Sequence, residues 1–378
     1  MTVQQEKLSY IVQIKLWNRK RLLQKKIQNV LKADPIHRIK HSRPASVKRM
    51  LFIEVQAGWG DFFYFLGLIK ALHNAGISVD IASLPETYER YKKLAFVHNC
   101  YSIESSDEIT QNCYDLVFDI TYVDDKLWKI RQSLLKNLDC YTVTASKVTA
   151  HSKLFDDFLD LGQRKHWRDR IALIYDFIVR PVFPSEGINP FYDFPPATKV
   201  AKDYIQTLDP NTRYIYINTV ARHKDRILSE KQITMLVDIF NQNKNFVGIF
   251  FTDQTIQESD YVKILPQMSF GDFSHILKQC DAIISPDTSV IHLGSILNIP
   301  VFGIYCGNYR DYFNQYAQPD VWAPLSKNSK IFFQNDPNTN DSSDFIYTHK
   351  KKPVSSYDVS ILKNKILAFL QELNLPSK

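Results

Sequence analysis

Short apolar runs alternate with helical patterns through the first half of the chain. Residues 50–56 (MLFIEVQ) form a β-rich run, and a glycine turn, Gly58-Trp59-Gly60, follows it. Apolar residues then recur at helical spacing as far as Gly76, which predicts a helix that this glycine ends. The same half holds three more predicted strands, at residues 77–83, 114–120 and 140–144, and a predicted helix at 124–138.

The second half repeats this alternation after a proline-rich break. Residues 181–197 contain five prolines and no apolar periodicity, which is typical of a linker. Ser229 and Gln232 then have the spacing of a capping box, ahead of apolar residues on one helical face. The other predicted elements are strands at 213–218, 245–251, 282–285 and 300–305, helices at 270–279 and 289–297, a polar loop at 335–356 and a closing amphipathic helix from residue 359.

Strand–helix alternation on both sides of the break predicts an α/β protein with two parallel sheets, each covered on both faces. We expect two Rossmann-like domains that face a cleft, with a basic helical extension at the N-terminus. Ligands of such sheets bind beyond the carboxyl ends of the strands, near helix N-termini. The expected order is an arm (1–48), an N-terminal domain (49–180), a linker (181–197), a C-terminal domain (198–356) and a final helix (357–378).

The composition is that of an ordinary globular protein. The 378 residues are 44% hydrophobic and 23% charged, which argues against wholesale disorder. No apolar stretch approaches the ~18–20 residues of a membrane-spanning helix, and Lys15 and Arg19 interrupt the one candidate for a signal peptide. The five cysteines are scattered and form no C-x-x-C pair, which favours reduced thiols in a cytoplasmic protein.

The excess positive charge is confined to the N-terminal arm. Residues 1–50 hold 13 Lys+Arg against 2 Asp+Glu, whereas residues 51–378 hold 34 against 38. Residues 8–31 predict a helix whose apolar stripe is surrounded by Lys and Arg. Such a helix suits an anionic membrane surface, and packing of the stripe on the body of the protein is the alternative. Nucleic acid is not expected as a partner, because the body is acidic and carries no recognised nucleic-acid motif.

The first loop with candidate chemistry covers residues 56–61 (QAGWGD), between a buried strand and a helix. Gly58 and Gly60 let the backbone come close to a ligand. Asp61 falls at the N-cap or in the first turn, where it is either a plain capping residue or a general base. The helix N-terminus is expected to lower the pKa of this carboxyl group.

The second and third loops are basic and hydroxyl-rich. In residues 218–229 (NTVARHKDRILS) four basic side chains crowd five positions after a strand, which is typical of a phosphate clamp; a solvated basic loop is the alternative. In residues 285–292 (SPDTSVIH) a turn at Asp287 precedes a helix that Thr288 and Ser289 open. Backbone N–H groups and the two hydroxyls there can hold a diphosphate. His292, one turn further, faces either the ligand or the sheet.

These three loops resemble glycosyltransferase family 9, the lipopolysaccharide heptosyltransferase family. Residues 287–292 (DTSVIH), followed by a helix and IPVFGIY, are similar to that family's D-[TS]-[GS]-x-x-H…P-V-x-x-[LI]-[YF] segment. Gly60-Asp61 matches its G-D motif, and Lys224 with Arg226 matches its K-x-R-type phosphate loop. The resemblance runs from about residue 50 to residue 334.

The sequence departs from the family pattern at all three of these loops. In the third, Ser289 stands where glycine is common, which tightens the phosphate loop. Trp59 stands in a loop that is usually built from small residues, and Asn218-Thr219 replaces a usual Pro-Gly or Gly-Ala. These differences concern the sugar and the acceptor more than the fold.

The resemblance implies a GT-B fold and an inverting, metal-independent transfer from a nucleotide-diphosphate sugar, usually ADP-heptose. This donor is a substrate, and no cofactor is implied. Asp61 would be the base that deprotonates the acceptor hydroxyl. The donor side would comprise Lys224 and Arg226 neutralising the departing diphosphate, Thr288 and Ser289 holding phosphate oxygens, Asp287 and His292 shaping the pocket, and Thr252 and Asp253 as contacts of the nucleotide base.

The expected function is therefore transfer of a sugar onto a lipopolysaccharide core or related surface glycan. The acceptor would be a glycolipid at the inner face of a bacterial cytoplasmic membrane, which the basic arm would contact. One alternative is another GT-B enzyme such as a nucleotide-sugar epimerase, which would convert the free donor without any acceptor. The other is a non-catalytic, membrane-associated interaction protein that binds no nucleotide.

Overall fold

The computed structural model describes eight stretches of the chain and two isolated residues, Lys25 and Gln28. Apart from these two, the expected basic helix at 8–31 lies outside the described residues. The chain divides into two compact units, Met1–Asn189 and Pro190–Lys378, and the division falls inside the proline-rich segment. The described stretches are 39–54, 58–121, 125–146, 149–161, 166–180, 188–306, 322–334 and 352–373.

The described part of the first unit contains one sheet of six parallel strands, in the order β3-β2-β1-β4-β5-β6. Its strands are β1 (Arg49–Ile53), β2 (Ser78–Ser83), β3 (Asn99–Ser102), β4 (Leu116–Asp119), β5 (Tyr141–Thr144) and β6 (Asp157–Phe158). Its helices are α1 (Trp59–Asn74), α2 (Pro85–Tyr91), α3 (Ser106–Thr110), α4 (Asp125–Lys136) and α5 (Trp167–Val179).

Helix α1 illustrates how the local sequence builds these elements. The apolar residues at helical spacing are buried, so the helix forms by covering the sheet rather than by propensity alone. The chain leaves the helix through Gly76, whose φ of 81° lies in the left-handed region that glycine adopts without strain. The buried side chains of the predicted stripe are Phe62, Phe65, Leu66, Ile69 and Leu72.

The second unit also has a six-stranded parallel sheet within its described residues, in the order β12-β11-β10-β7-β8-β9. Its strands are β7 (Tyr214–Asn218), β8 (Val247–Phe251), β9 (Val262–Ile264), β10 (Ala282–Pro286), β11 (Val301–Ile304) and β12 (Lys330–Phe332). Its helices are α6 (Lys199–Gln206), α7 (Glu230–Gln242), α8 (Phe270–Leu277), α9 (Ser289–Leu297) and α10 (Val359–Leu373).

The prediction of an α/β protein with two parallel sheets is confirmed. In chain order both sheets read 3-2-1-4-5-6, the Rossmann topology, and every predicted strand forms within three residues of its expected ends. The patterns missed the short edge strands β3, β6, β9 and β12, because two to four residues carry little periodicity. The predicted loop at 335–356 is described only from residue 352, where Val354–Ser356 forms a 3₁₀ turn. No helix in the described ranges has the length and apolar character needed to cross a bilayer.

A buried ion pair lies at the carboxyl end of β4. The Arg131 Nη1 atom lies 2.5 Å from Oδ2 of Asp119, and neither side chain is exposed. The other carboxylate oxygen of Asp119 accepts a hydrogen bond of 2.9 Å from the backbone N–H of Thr121. Two charges removed from water depend on each other, because either one alone would be an uncompensated charge in the core.

Asp119→Ala is therefore expected to lower the free energy of unfolding by about 3–5 kcal/mol, since it strands the buried Arg131 charge. Urea unfolding measures the loss. Arg168→Ala is the control, because it removes an exposed pair with Asp169 (3.4 Å) and should cost less than about 1 kcal/mol. Equal losses in the two variants would contradict a structural role for the buried pair.

Candidate functional site

The three candidate loops follow the carboxyl ends of strands that lie at or beside the reversal of strand order in each sheet. In the first unit, the loop that leads to Asp61 leaves β1, which neighbours β4 and β2. In the second unit, Asn218 ends β7 and Asp287 follows β10, and these two strands are adjacent. A switch point of this kind opens a crevice for ligands, because the connections on its two sides leave in opposite directions.

In the first loop, Asp61 is the third residue of α1. Its Oδ2 atom accepts a hydrogen bond of 3.2 Å from the backbone N–H of Gly58, the residue that precedes the helix. Phe62 N–H donates to the carbonyl of Gly58 at 2.9 Å and closes the first turn. Gly60 lies within this turn, while residues 55–57 lie outside the described residues.

The Asp61 carboxyl is partly buried, and burial is the largest influence on its acidity. Burial raises the pKa of Asp61 to about 6, although hydrogen bonds from the backbone N–H groups of Gly58 and of Asp61 itself act to lower it. The expectation of a lowered pKa is therefore wrong, because the desolvation of the charged form outweighs the helix N-terminus. A pKa near neutrality suits a group that must take up a proton at physiological pH.

In the second unit, Asn218 connects the second and third loops. Its Nδ2 group lies 3.2 Å from the hydroxyl of Ser285, 3.2 Å from the hydroxyl of Thr288 and 3.0 Å from the carbonyl of Val220. The hydroxyls of Ser285 and Thr288 lie 3.1 Å apart. This network holds the carboxyl end of β7 against the turn that begins α9.

Thr219 anchors the next position to a third strand. Its backbone N–H and its hydroxyl donate to the carbonyl of Phe251, at 3.1 and 3.2 Å, and its own carbonyl accepts from Leu228. Thr219 is fully buried, so it supports the loop from the interior of the unit. Thr252 follows Phe251 and accepts a hydrogen bond from Gln254 N–H (3.1 Å), while Asp253 is exposed. No hydrogen bond within the described residues links Thr252 or Asp253 to the Asn218 network.

The basic turn Lys224–Arg226 is tied to the third loop at two points. The Arg226 guanidinium donates to the carbonyl of Asp287 (2.8 Å) and lies 3.2 Å from its carboxylate. The thiol of Cys306, directly beyond β11, donates to the carbonyl of Asp225 at 3.2 Å. Lys224 is exposed between these anchors, and its ammonium group makes no ion pair or hydrogen bond within the described ranges. The two cations therefore differ in their surroundings. Arg226 is bonded to Asp287 and holds the turn, whereas the exposed ammonium group of Lys224 can meet a ligand.

Helix α9 begins at the same place. Thr288 is its N-cap and accepts a hydrogen bond from Val290 N–H at 3.4 Å. Ser289, the first residue of the helix, is partly exposed. His292 is only 4% exposed, and its ring lies 5.4 Å from that of Trp322. The structure thus places His292 in the interior of the second unit, against the ring of Trp322.

Sequence reasoning missed several supporting residues. Ser285 begins the SPDTSVIH segment, and its position at the end of a buried strand could have indicated that it supports the turn. Gln232 was recognised only as a capping residue: its Oε1 accepts from Ser229 N–H (2.9 Å), and its Nε2 also donates to the carbonyl of Val354 at 2.8 Å. Cys306 carries no sequence signal, because its partner Asp225 is 81 positions away. No group of three or more His, Cys, Asp or Glu residues within the described ranges is placed to hold a metal ion.

The raised pKa of Asp61 makes a prediction about stability. A carboxyl whose folded-state pKa exceeds its unfolded value favours folding below about pH 4 and loses this contribution as the pH rises through about 6. Asn cannot ionise, so Asp61→Asn should raise the free energy of unfolding by about 1–3 kcal/mol at pH 8 relative to its effect at pH 4. Urea unfolding at both values measures this difference. An effect of Asp61→Asn that is independent of pH would contradict the raised pKa.

Comparison with known proteins finds a family that resembles part of this chain. A model of glycosyltransferase family 9 (heptosyltransferase) matches residues 228–350, which include the third loop but neither Lys224 nor Asp61. A search of curated proteins gives no match.

Solved structures show the same fold at low sequence identity. A family 9 glycosyl transferase from Veillonella parvula DSM 2008 is 12% identical, with 86% of this chain and 98% of that one covered and a TM-score of 0.63. The E. coli ADP-heptose lipopolysaccharide heptosyltransferase II is 13% identical, with coverages of 86% and 100% and a TM-score of 0.59. The E. coli heptosyltransferase WaaC, solved with ADP, is 14% identical, with coverages of 85% and 99% and a TM-score of 0.57.

At these identities the structures establish the fold. The chain has the GT-B fold of the heptosyltransferase structures, and the match over residues 228–350 confirms its resemblance to glycosyltransferase family 9.

Proposed function

We propose that this protein is an inverting glycosyltransferase that transfers heptose from ADP-heptose to a lipopolysaccharide core or a related surface glycan. The observation that carries this proposal is the assembly at the carboxyl ends of β7 and β10. There Lys224 is exposed and makes no ion pair within the described residues, on a turn that Arg226 braces against Asp287, two residues before α9. This assembly adjoins and overlaps the segment that matches family 9.

The assembly offers what a nucleotide diphosphate requires. The N-terminus of α9 carries a partial positive charge from the helix dipole, which favours phosphate oxygens. The hydroxyl of Ser289 and the ammonium group of Lys224 add a hydrogen bond and a full charge. Thr288 is committed to Asn218, Ser285 and the cap of α9, so we assign it to holding the turn in shape. Arg226 is assigned the same kind of role, because its guanidinium is engaged by Asp287.

Asp61 supplies the base in this proposal. In an inverting transfer the acceptor oxygen forms the new bond to the anomeric carbon while the bond from that carbon to the diphosphate oxygen breaks. The acceptor proton goes to the Asp61 carboxylate, and the electron pair of the broken bond leaves with ADP, whose charge Lys224 offsets. The burial that raises the pKa of Asp61 to about 6 makes this carboxylate a better proton acceptor than an ordinary aspartate.

The choice of donor and acceptor rests on the structural relatives and on charge. Two of them are heptosyltransferases, one solved with ADP and one described as an ADP-heptose enzyme. A glycolipid acceptor fits the basic arm, since residues 1–50 hold 13 Lys+Arg against 2 Asp+Glu. We therefore place the reaction at the cytoplasmic face of the membrane, with residues 8–31 on the anionic lipid surface. The proposal requires no metal ion.

Thermal unfolding in the presence of ADP, UDP, GDP and CMP tests the proposal. A nucleotide at 100 times its dissociation constant stabilises the protein by about 2.7 kcal/mol, which is readily detected. Stabilisation by ADP alone supports ADP-heptose as donor, and transfer to truncated lipopolysaccharide acceptors then tests the reaction. Stabilisation by UDP or GDP instead would indicate a donor sugar carried by that nucleotide. Absence of any shift would favour an interaction protein, and conversion of the free donor without acceptor would favour an epimerase.

Lys224→Met should weaken ADP binding by about 10- to 100-fold, because one charge-assisted contact to a phosphate is lost. Its stability should be unchanged, since the Lys224 side chain is exposed. Arg226→Met should weaken binding and also lower the midpoint of unfolding, because it leaves the buried Asp287 carboxylate without its cation. Calorimetric titration and urea unfolding measure the two effects, with Lys231→Met, exposed on α7, as the control. Unchanged ADP binding by Lys224→Met would contradict its role.

Asp61→Asn should abolish transfer while leaving ADP binding intact, since the amide cannot accept the acceptor proton. In the unaltered protein kcat should rise with pH and level off above an apparent pKa of about 6, because only the ionised carboxylate is active. Initial rates measured from pH 5 to pH 8.5 check this profile. Turnover by Asp61→Asn at the unaltered rate would exclude Asp61 as the base.

A further inference from the structure

The C-terminal end of helix α2 contacts the chain on both sides of residues 55–57, the residues that lead to Asp61. Before them, the hydroxyl of Tyr91 donates a hydrogen bond of 3.0 Å to Oε2 of Glu54, the residue that follows β1. After them, the guanidinium carbon of Arg90 lies 4.3 Å from the ring centre of Trp59, the first residue of α1. Arg90 and Tyr91 are consecutive, so a single helix end holds the chain on both sides of these three residues.

Contacts between aromatic rings connect Tyr91 to Trp59 through Phe62. The Tyr91 ring lies 5.0 Å from that of Phe62, and the Phe62 ring lies 5.5 Å from that of Trp59 at an interplanar angle of 84°. Trp59 and Phe62 are three residues apart on α1 and therefore share one face of the helix. Asp61 lies between these two aromatic residues in the sequence, in the same turn of α1.

The contact between Tyr91 and Glu54 is withdrawn from water. Tyr91 is fully buried and Glu54 is 3% exposed. Burial, together with the charge of Glu54, raises the pKa of Tyr91 well above its ordinary value, so the phenol remains a hydrogen-bond donor at physiological pH. Arg90 is partly buried, and its guanidinium remains charged over the Trp59 ring.

We propose that Arg90 and Tyr91 are positioning residues for the reaction of Asp61: through Trp59 and Glu54 they fix the first turn of α1, and so the direction of the carboxylate. The inference rests on the proposed function, in which Asp61 takes the acceptor proton. Neither residue is assigned a contact with the substrates. Their effect is on geometry, to which a proton transfer concerted with bond formation is sensitive.

Arg90→Gln and Tyr91→Phe should each lower kcat by about 10- to 100-fold, because small displacements of a catalytic group are costly, while KM for the donor stays within about twofold. Arg90→Lys keeps a charge over the Trp59 ring and should recover part of the lost rate. The matched control is Lys92→Met, one residue beyond α2. Lys92 also lies over an aromatic ring, that of Tyr88 (5.2 Å), and it pairs with Glu89 at the surface (3.9 Å), so this variant removes a nearby charge without touching α1.

The pH profile separates positioning from a simple charge effect. If the first turn loosens in Arg90→Gln, water reaches Asp61 and the apparent pKa of kcat should fall from about 6 toward the ordinary value of 3.8. Loss of the Arg90 charge acting through space would instead raise that pKa. The charged groups near the loop include Glu54, Glu86, Glu89 and Arg90, with Lys92 just beyond α2. On the neighbouring elements they include the Asp119–Arg131 pair beside β1 and the Arg168–Asp169 pair on α5.

Hydrogen exchange provides a readout that does not depend on activity. The backbone amides of residues 58–62 should exchange faster in Arg90→Gln and Tyr91→Phe than in the unaltered protein, and at the unaltered rate in Lys92→Met. If the unaltered protein transfers no sugar, the proposed function fails, while faster exchange still supports the clamp. Unchanged exchange in the folded Arg90→Gln and Tyr91→Phe variants, or an unchanged kcat with an unchanged pH profile, would overturn the positioning role.

Discussion

The reversal of strand order in a parallel sheet is the constraint on which the candidate site depends. In the second unit it sets β7 beside β10, so that Asn218 meets Ser285 and Thr288, about 70 residues later in the chain. The loop that follows β7 also returns to this point, because the Arg226 guanidinium donates to the carbonyl of Asp287. The Asn218 amide, through its bonds to both hydroxyls, fixes the shape of the turn that is proposed to bind phosphate. Without the reversal, the same motifs would lie at separate places along the sheet edge.

Around this framework, three buried carboxylates each have a side-chain partner, which Asp61 lacks within the described residues. Asp119 has Arg131, Asp287 has Arg226, and the carboxylate of Glu54 accepts from Tyr91. Within the described residues Asp61 receives only backbone N–H donors, and its pKa rises to about 6. The protein thus carries an unfavourable carboxylate at the position where the proposed chemistry needs a proton acceptor. Stability lost at that position is consistent with a site shaped for activity.

Neighbouring side chains hold both of the loops that carry the residues proposed to react. Arg226 and Cys306 hold the basic turn from two sides, and the end of α2 holds the chain on both sides of the residues that lead to Asp61. In both cases the residue proposed to meet the substrate is next to residues that are engaged by the protein. Lys224 is two positions from Arg226, and Asp61 lies between Trp59 and Phe62. Preorganisation of this kind lowers the ordering cost at the moment of reaction.

The amino-acid sequence by itself determined the central strands of each sheet, the strand–helix alternation that indicates two Rossmann-like halves, and the three loops that carry candidate chemistry. These features are local: the helical period of α1, the capping box of Ser229 and Gln232, and the order of DTSVIH after a strand are all legible within about ten residues. Only the tertiary structure decided that burial raises the pKa of Asp61, that Arg226 braces Asp287, and that Arg90 lies over Trp59. Those outcomes depend on which distant residues exclude water and which approach within a few ångströms, and spacing along one chain does not encode either.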